Sequence, residues 1–383
     1  MSWLFFNKLN CTPLSKTEGG APQIDEDFLD SVKHIKFVQD LIDSKKLKKL
    51  LSTYVEGFIE RFHNGKIYPS FLQFGTTSGR YSCTNPNLQN LVSIKDEESG
   101  VSPLVLKYAN QIRKGIAVTS QYQIVNADFS QLEVVCFSIA SGETIIQDMF
   151  RNNLDFYSGV AIKVWKIPNV SADKKAPNFL KKINPTARQN SKQFALGIPY
   201  GAAAHRISEM LKISKQEAQH IIDDYLESFP QLAQWMEEQK QQVITQGFVK
   251  NMFGRIRHLE KAKNLHEWYG EKLLDWKWAD KNGLSDERRT LKNLINLSRN
   301  YPIQSLAACI VNRSAIEIMK TIDKEDIKAY PILQVHDELT FVCTIEHSQR
   351  LKEIMKHCME NTVKLPVALT AEPLIADNWG DAK

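Results

Sequence analysis

Long apolar runs and closely paired cysteines are both absent from this sequence. No stretch of the 383 residues reaches the ~18 apolar residues that a membrane-spanning helix requires, and the apolar start is too short for a signal peptide. The six cysteines, at positions 11, 83, 136, 309, 343 and 358, have no spacing typical of a metal site. The sequence therefore predicts a cytoplasmic protein in a reducing compartment, without structural zinc and without a membrane partner.

A strong excess of one charge is also absent. Lys and Arg number 49 and Asp and Glu 44, so the formal net charge of +5 does not by itself indicate a nucleic-acid partner. The basic residues are nevertheless clustered, at 45–49, 181–182, 188–192 and 255–258. Such clusters suit a phosphate backbone. The length predicts two or three subdomains, and the hydrophobic fraction of 43% is that of an ordinary globular protein.

A short run of β-forming residues leads into an acidic residue. Tyr122, Ile124 and Val125 are typical of a strand that continues to Asp128, and residues 130–140 then have a helical pattern. A carboxylate at a strand end, with a carbonyl from backbone that changes direction, can bind a hard cation. An aspartate in this place can equally cap the following helix, so the stretch alone leaves both interpretations open.

A second acidic position follows about two hundred residues later. Residues 330–335 and 339–343 are apolar, and His336, Asp337 and Glu338 lie between them, which predicts a β-hairpin with a charged tip. Adjacent acids repel each other unless a cation is near. Asp128 and Asp337 could therefore hold two divalent ions for a phosphoryl transfer, although Asp337 alone could be a solvated turn residue.

A basic helix is predicted between the two acidic positions. It begins near Asn184 and Pro185, and it places Arg188 and Lys192 roughly 6 Å apart along its axis, a match to successive phosphates of a triphosphate. Arginine can bind a terminal phosphate through two N–H groups, and lysine can act as a point charge or proton donor. Taken alone, such a basic stripe is more often a solvated helix face.

Together these three stretches resemble a known family. D-F-S-Q-L-E at 128–133, R-x-x-x-K-x-x-x-x-G-x-x-Y-G at 188–201 and V-H-D-E at 335–338 are similar to motifs A, B and C of the family-A DNA polymerases. This group includes bacterial DNA polymerase I and many phage replicative enzymes. Four further blocks resemble the family, at 76–90, 247–257, 300–304 and 378–383. Seven blocks in the family's order cover nearly the whole chain, which argues against coincidence.

The resemblance implies an α+β protein with a right-hand polymerase fold: an antiparallel palm sheet, helical fingers and a shortened helical thumb. We expect the following divisions: a partial thumb at 1–70, the palm at 71–141 and 293–383, the fingers at 142–258 with the motif B helix at 186–200, a charged insertion at 259–292, and the motif C hairpin at 330–343. The insertion mixes tryptophans with charges, so we expect locally packed helices there, with a DNA or partner surface as the alternative.

The resemblance also implies an activity and a set of site residues. The expected reaction is template-directed addition of dNTPs to a primer 3′ end by two-metal-ion phosphoryl transfer, in DNA replication or repair. The expected catalytic residues are Asp128, Asp337 and Lys192, and two Mg²⁺ ions, which Mn²⁺ could replace, would bind Asp128, Phe129 and Asp337. The expected nucleotide-binding residues are Arg188, Lys192, Leu196, Tyr200, Gln131, Glu133 and Tyr157. The expected residues for primer-template DNA are Arg80, Gln89, Asn90, Arg255, Asn300, Gln304 and His336.

Glu133 bears on the choice of sugar. In this family the motif A glutamate closes the space beside the 2′ carbon, which favours a DNA polymerase over the alternative of a single-subunit RNA polymerase. Three positions depart from the family pattern: Leu196 replaces a usual Phe or Tyr, Tyr157 a frequent His, and Val135 a usual Arg. We expect Leu196 to alter nucleotide selectivity and turnover, and nothing in the sequence explains Val135.

The thumb-like sequence begins abruptly, so we expect no proofreading exonuclease in this chain. A second chain could supply an exonuclease together with the rest of the thumb. The remaining alternative is then a DNA-binding polymerase subunit that needs this second chain for activity. The presence of Asp128, Asp337, Arg188 and Lys192 favours chemistry retained in this chain.

Overall fold

The computed structural model describes residues 1–13, 20–91 and 102–382. The α-helices are α1 (Glu26–Ser31), α2 (Lys36–Lys49), α3 (Gly57–Arg61), α4 (Pro103–Gly115), α5 (Leu132–Ser141), α6 (Thr144–Arg151), α7 (Phe156–Val164), α8 (Leu180–Ile183), α9 (Pro185–Ala195), α10 (Ala204–Leu211), α11 (Lys215–Ser228), α12 (Pro230–Gln246), α13 (Glu260–Tyr269), α14 (Trp276–Lys281), α15 (Ser285–Lys324) and α16 (Ile345–Asn361). The strands are β1 (Phe62–His63), β2 (Lys66–Ile67), β3 (Ser70–Leu72), β4 (Ser82–Thr84), β5 (Tyr122–Phe129), β6 (Phe248–Lys250), β7 (Ile256–His258), β8 (Ala329–Val335), β9 (Glu338–Thr344) and β10 (Ala371–Ala376). No helix in these ranges combines the length and apolar composition needed to cross a bilayer.

A four-stranded antiparallel sheet with the order β10-β5-β9-β8 lies at the centre of the fold. One face of β5 contributes Val125, Ala127 and Phe129 to the largest hydrophobic core. Helices from the N-terminal and the C-terminal half of the chain contribute further side chains to this core. Ile124 belongs instead to a second core, which contains Trp379 near the C-terminus. Because successive side chains of a strand alternate between faces, β5 is covered on both sides. The predicted α+β class with an antiparallel sheet is confirmed.

The strand that carries motif A is longer than the sequence indicated. β5 extends to Phe129, and Gln131 has φ 54°, so the helix expected from residue 130 starts only at Leu132. The helix-cap interpretation of Asp128 is therefore wrong, because the N-cap position belongs to Gln131. Asp128 lies inside the sheet, opposite Glu338 on β9.

The motif B helix is shorter than the predicted range of 186–200. α9 ends at Ala195, and the chain then turns through residues 196–201. Pro199 has no N–H to continue the helical hydrogen bonding, and Gly201 has φ 87°. A Cβ atom at Gly201 would also collide with a side chain of α15. Leu196 is therefore the C-cap residue of α9, and Tyr200 lies in the turn that follows the helix.

The motif C hairpin is present as β8 and β9. Val335 pairs with Glu338, and the two residues between them form the turn. His336 has φ 56°, which lets the chain reverse within two residues. The turn of the hairpin therefore lies at the same edge of the sheet as the C-terminal end of β5.

The charged stretch at 259–292 folds as a local cluster of helices. α13, a 3-10 turn at Glu271–Leu274, α14 and the start of α15 enclose a small core that includes Leu265, Leu273 and Ala279. Trp268 and Trp276 lie outside this core, with 70% and 60% of their surface exposed. These two tryptophans therefore contribute little to the packing of the helical cluster. The division of the whole chain into thumb, palm, fingers and insertion stays a prediction.

Candidate active site

The two acidic positions of motifs A and C meet at one edge of the central sheet. Asp128 is paired with Glu338, and the N–H of Phe129 donates to the carbonyl of Asp337 at 3.3 Å. Neighbouring strands lie ≈4.7–4.9 Å apart, so Asp128 and Asp337 extend from adjacent positions of the backbone. Both side chains are partly exposed. The sheet therefore brings together the backbone of two aspartates that are some two hundred positions apart in the sequence.

Glu338 does not belong to the exposed tip of the motif C hairpin. The prediction that Asp337 and Glu338 together form a charged tip is therefore wrong for Glu338. Its carboxylate is buried, accepts a hydrogen bond from Nε1 of Trp379 at 2.7 Å, and lies 3.8 Å from Nη2 of Arg113. The Arg113 guanidinium in turn stacks on the Trp379 ring, 3.6 Å from its centroid. The charge of Glu338 is thus balanced by a buried arginine.

A cavity of about 420 Å³ opens beside Asp337. Its lining residues come from the start of α5, α7, the end of α9, the motif C turn and the loop before β4, and they are Arg80, Gln131, Leu132, Glu133, Val134, Tyr157, Leu196, His336 and Asp337. All but Leu132 and Val134 are site residues that the resemblance implied. Residues from five separate segments therefore line one space next to the acidic pair.

Arg80 and Glu133 form an ion pair in the wall of this cavity, with Nη2 and Oε1 2.5 Å apart. Gly79 has φ 86°, and a Cβ atom there would lie 2.8 Å from the guanidinium of Arg255. Glycine at this position therefore allows Arg255 to lie directly against the turn that carries Arg80. Any contact of Arg80 with DNA has to compete with Glu133.

Polar groups near the cavity are available to a ligand. Oε1 of Gln131 is buried and has no hydrogen-bond partner among the described residues, and the buried hydroxyl of Tyr200 lies near the carboxylate of Glu133. Burial, reinforced by the charge of Glu133, raises the pKa of Tyr200, and burial raises the pKa of Tyr157 to about 12. Both phenols stay protonated at neutral pH and can donate hydrogen bonds. Buried polar groups are normally paired, so a bound molecule would complete the set.

The basic helix α9 presents Arg188 and Lys192 one turn apart. The side chain of Asn184 caps its N-terminus by accepting from the N–H of Ala187 at 3.0 Å, and Pro185 occupies the first turn. Lys192 is exposed, whereas only 15% of the Arg188 side chain is exposed. The two cations predicted for the triphosphate therefore differ in how far they are buried.

Asp155 is a residue at this site to which the sequence analysis assigned no role. Nε and Nη2 of Arg188 donate to its two carboxylate oxygens at 2.8 and 3.0 Å. Burial raises the pKa of Asp155, but the hydrogen bonds from Arg188 and Ser158 outweigh it and hold the pKa below its usual value. An aspartate directly before an apolar helical run is a recognisable N-cap, yet its pairing with Arg188 involves a residue 33 positions away.

The family model for DNA polymerase family A matches residues 1–381. The chain belongs to DNA polymerase family A. It is 27% identical over 388 residues to DNA polymerase I of Caldicellulosiruptor bescii, and this match covers 100% of this chain and 40% of the relative. It is 30% identical over 340 residues to DNA polymerase I of Treponema pallidum, covering 88% of this chain and 30% of the relative. The chain therefore spans less than half the length of these two relatives.

A solved structure of the POL domain of Pol1 from M. smegmatis, in complex with DNA primer-template and dNTP, has a similar fold. The TM-score is 0.81 with 25% sequence identity, and the match covers 99% of this chain and 60% of that chain. The right-hand polymerase fold expected from the seven sequence blocks is thereby confirmed.

Family-A polymerases use divalent metal ions, and the oxygen atoms at the sheet edge fit this requirement. Mg²⁺ is usually bound by one or two carboxylates and completes its coordination with water and substrate phosphates. Asp128, Asp337 and the carbonyl of Phe129 offer such a set. No group of three or more His, Cys, Asp or Glu side chains suited to a metal exists in the described parts of this family-A chain.

The residues predicted to bind DNA do not all lie at the cavity. Nε2 of Gln89 donates to the carbonyl of Gln334 on β8 at 3.0 Å, which ties its segment to the motif C hairpin. Oδ1 of Asn300 is buried without a hydrogen-bond partner in the described part of the chain. Arg80 and His336 line the cavity, whereas Gln89, Asn90, Arg255, Asn300 and Gln304 do not.

Proposed function

We propose that this chain acts as a DNA-directed DNA polymerase that adds dNTPs to the 3′ end of a primer on a DNA template. The observation that carries the proposal is the meeting of Asp128 and Asp337 at one sheet edge, beside a cavity lined by parts of motifs A, B and C. Membership of DNA polymerase family A supports it. A role in DNA replication or repair follows from this reaction.

The acidic pair, with the Phe129 carbonyl, would hold two Mg²⁺ ions, or Mn²⁺ in their place. When bound, these ions lower the pKa of the primer 3′ hydroxyl and neutralise charge on the departing pyrophosphate. The carboxylates of Asp128 and Asp337 would hold these ions at the sheet edge. Asp128 lies on β5 and Asp337 lies in the turn directly before the neighbouring strand β9, so the packed sheet keeps the two positions rigid.

The nucleotide would lie between the sheet edge and α9. Arg188 binds the terminal phosphate, and Lys192 stabilises or protonates the leaving pyrophosphate. Leu196 and Tyr200, in the turn after α9, form the surface under the sugar and base, and the buried hydroxyl of Tyr157 donates a hydrogen bond towards the triphosphate. Gln131 has an unpaired buried oxygen that this ligand could satisfy.

Glu133 would select deoxyribose, because its carboxylate closes the space next to the 2′ carbon. Its ion pair with Arg80 supports this role, since the pair holds the carboxylate at the cavity wall. The primer-template would contact Arg80, Gln89, Asn90, Arg255, Asn300, Gln304 and His336. Minor-groove contacts of this kind recognise acceptors common to all base pairs, so they check geometry without reading sequence.

Primer extension tests the proposal directly. Asp128→Ala should lose several orders of magnitude in extension rate with Mg²⁺ and dNTPs, while its affinity for primer-template stays close to that of the parent. Asp323→Ala is the matched control, because Asp323 is an exposed aspartate at the end of α15. Normal extension by Asp128→Ala would refute the assignment.

The same assay separates the alternatives. A chain that binds primer-template but extends it only after another protein is added would support a polymerase subunit, and the second chain stays a prediction. Extension without a primer, using NTPs, would instead support an RNA polymerase.

A further inference from the structure

Asp155 joins two helices through three hydrogen bonds on a single carboxylate. Oδ1 accepts from the N–H of Ser158 at 2.8 Å and so caps the N-terminus of α7. The same carboxylate accepts from Nε and Nη2 of Arg188 on α9. Only 5% of the Asp155 side chain is exposed. This carboxylate is therefore an internal connection between α7 and α9 and does not belong to the solvated surface.

The position of Asp155 is fixed independently of Arg188. Its N–H donates to the carbonyl of Ala172 at 2.8 Å, and the preceding residue Leu154 forms a β-bridge with Asp173. A second link between the helices lies nearby, where the hydroxyl of Ser191 donates to the carbonyl of Tyr157 at 2.7 Å. The carboxylate thus presents a rigid surface against which a flexible arginine can be ordered.

The pairing determines the orientation of the Arg188 guanidinium. Because Nε and one terminal nitrogen bind the two oxygens together, the plane of the guanidinium is set by the plane of the carboxylate. The pair engages two of the five N–H donors that an arginine carries. The Tyr157 ring, whose centroid is 5.6 Å from the guanidinium carbon, lies on one side of it. An arginine that is already ordered loses less rotamer freedom when it binds a phosphate.

We propose that Asp155 is a positioning residue for nucleotide binding, which orders Arg188 before the dNTP arrives. The inference rests on the proposed function of Arg188 as a ligand of the terminal phosphate. It assigns Asp155 to the ground-state binding of the triphosphate and not to the chemical step. Loss of the pairing should therefore raise KM for the dNTP and leave kcat nearly unchanged.

Asp155→Asn is the decisive variant. Asparagine caps helices as well as aspartate does, so α7 keeps its N-terminus, while the charge and one of the two acceptors for Arg188 are lost. We expect KM for the dNTP to rise about tenfold, a loss typical of an arginine that must be ordered on binding. Asp155→Ser, which also keeps a capping oxygen, should show the same increase. Urea unfolding of both variants confirms that they remain folded.

Asp275→Asn is the matched control. Asp275 caps α14 by accepting from the N–H of Lys277 at 2.9 Å, on the exposed insertion. Its substitution removes the charge of a capping aspartate without touching Arg188, so KM and kcat should equal those of the parent. The second control is Arg188→Ala, alone and combined with Asp155→Asn. Once Arg188 is removed, Asp155→Asn should have no further effect on KM.

The outcomes separate the inference from the proposed function. If Arg188→Ala raises KM but Asp155→Asn does not, the inference is wrong and the function of Arg188 stands. An equal effect of Asp155→Asn with and without the Arg188 side chain would show a purely structural role and would overturn the inference. A lower KM for Asp155→Asn would overturn it as well, because Asp155 would then compete with the triphosphate. If Arg188→Ala leaves KM unchanged, the proposed role of Arg188 itself fails.

Discussion

The buried ion pair of Glu338 and Arg113 should be a main determinant of the stability of the central sheet. Glu338→Met removes the carboxylate at similar side-chain length, and the Arg113 guanidinium, 1% exposed, loses the negative charge of this residue. The indole N–H of Trp379 loses its acceptor in the same substitution. Breaking a buried ion pair on one side typically costs about 3–5 kcal/mol. We expect a loss of that size in the free energy of unfolding.

Urea unfolding followed by circular dichroism measures this loss. Glu353→Met is the matched control, since Glu353 also pairs with an arginine, Arg350, at 3.0 Å, but both side chains are more than half exposed. An exposed pair contributes about 0.2–1 kcal/mol, so the control should shift the midpoint only slightly. Equal shifts for the two variants would refute the reasoning.

The double variant Arg113→Met/Glu338→Met tests the electrostatic cause. The double variant removes the arginine charge together with the carboxylate, and apolar replacement of a buried pair is often close to neutral. The double variant should therefore be more stable than Glu338→Met. If it is equally or less stable, the loss comes from packing around Trp379 and not from the charge of Arg113.

Three further predictions concern residues of the candidate active site. Glu133→Ala should admit ribonucleotides far more readily in primer extension. Unchanged sugar selectivity would refute the proposed exclusion of ribose by Glu133. Leu196→Phe should change dNTP selectivity or turnover in steady-state kinetics, whereas kinetics identical to those of the parent would count against a role for this side chain. The folded pKa of Asp155 lies below its ordinary value of 3.8, so its pairing stabilises the fold above pH 3.8 and is lost as the pH falls through the folded pKa. The stability difference between the parent and Asp155→Asn in urea unfolding should accordingly shrink in acid; a constant difference would contradict it.

Much of the site can be recognised without coordinates, because the relevant signals are local. The strand before Asp128, the two-residue turn at Asp337 and the Asn184-Pro185 start of α9 each depend on neighbours within a few positions. Strand propensity, turn chemistry and helix capping act over that range. The spacing of Arg188 and Lys192 follows from helix geometry alone.

Three features depend on contacts that no local pattern contains. α9 ends at Ala195, several residues before the predicted end, where the following turn packs close to α15. The burial of Glu338 depends on Arg113 and Trp379, which reach it from α4 and from the C-terminal region. Asp155 acquires its role from Arg188 on another helix. In each case a buried charge or a tight turn is stabilised by a partner distant in the chain, and burial and partnership are properties of the packed fold.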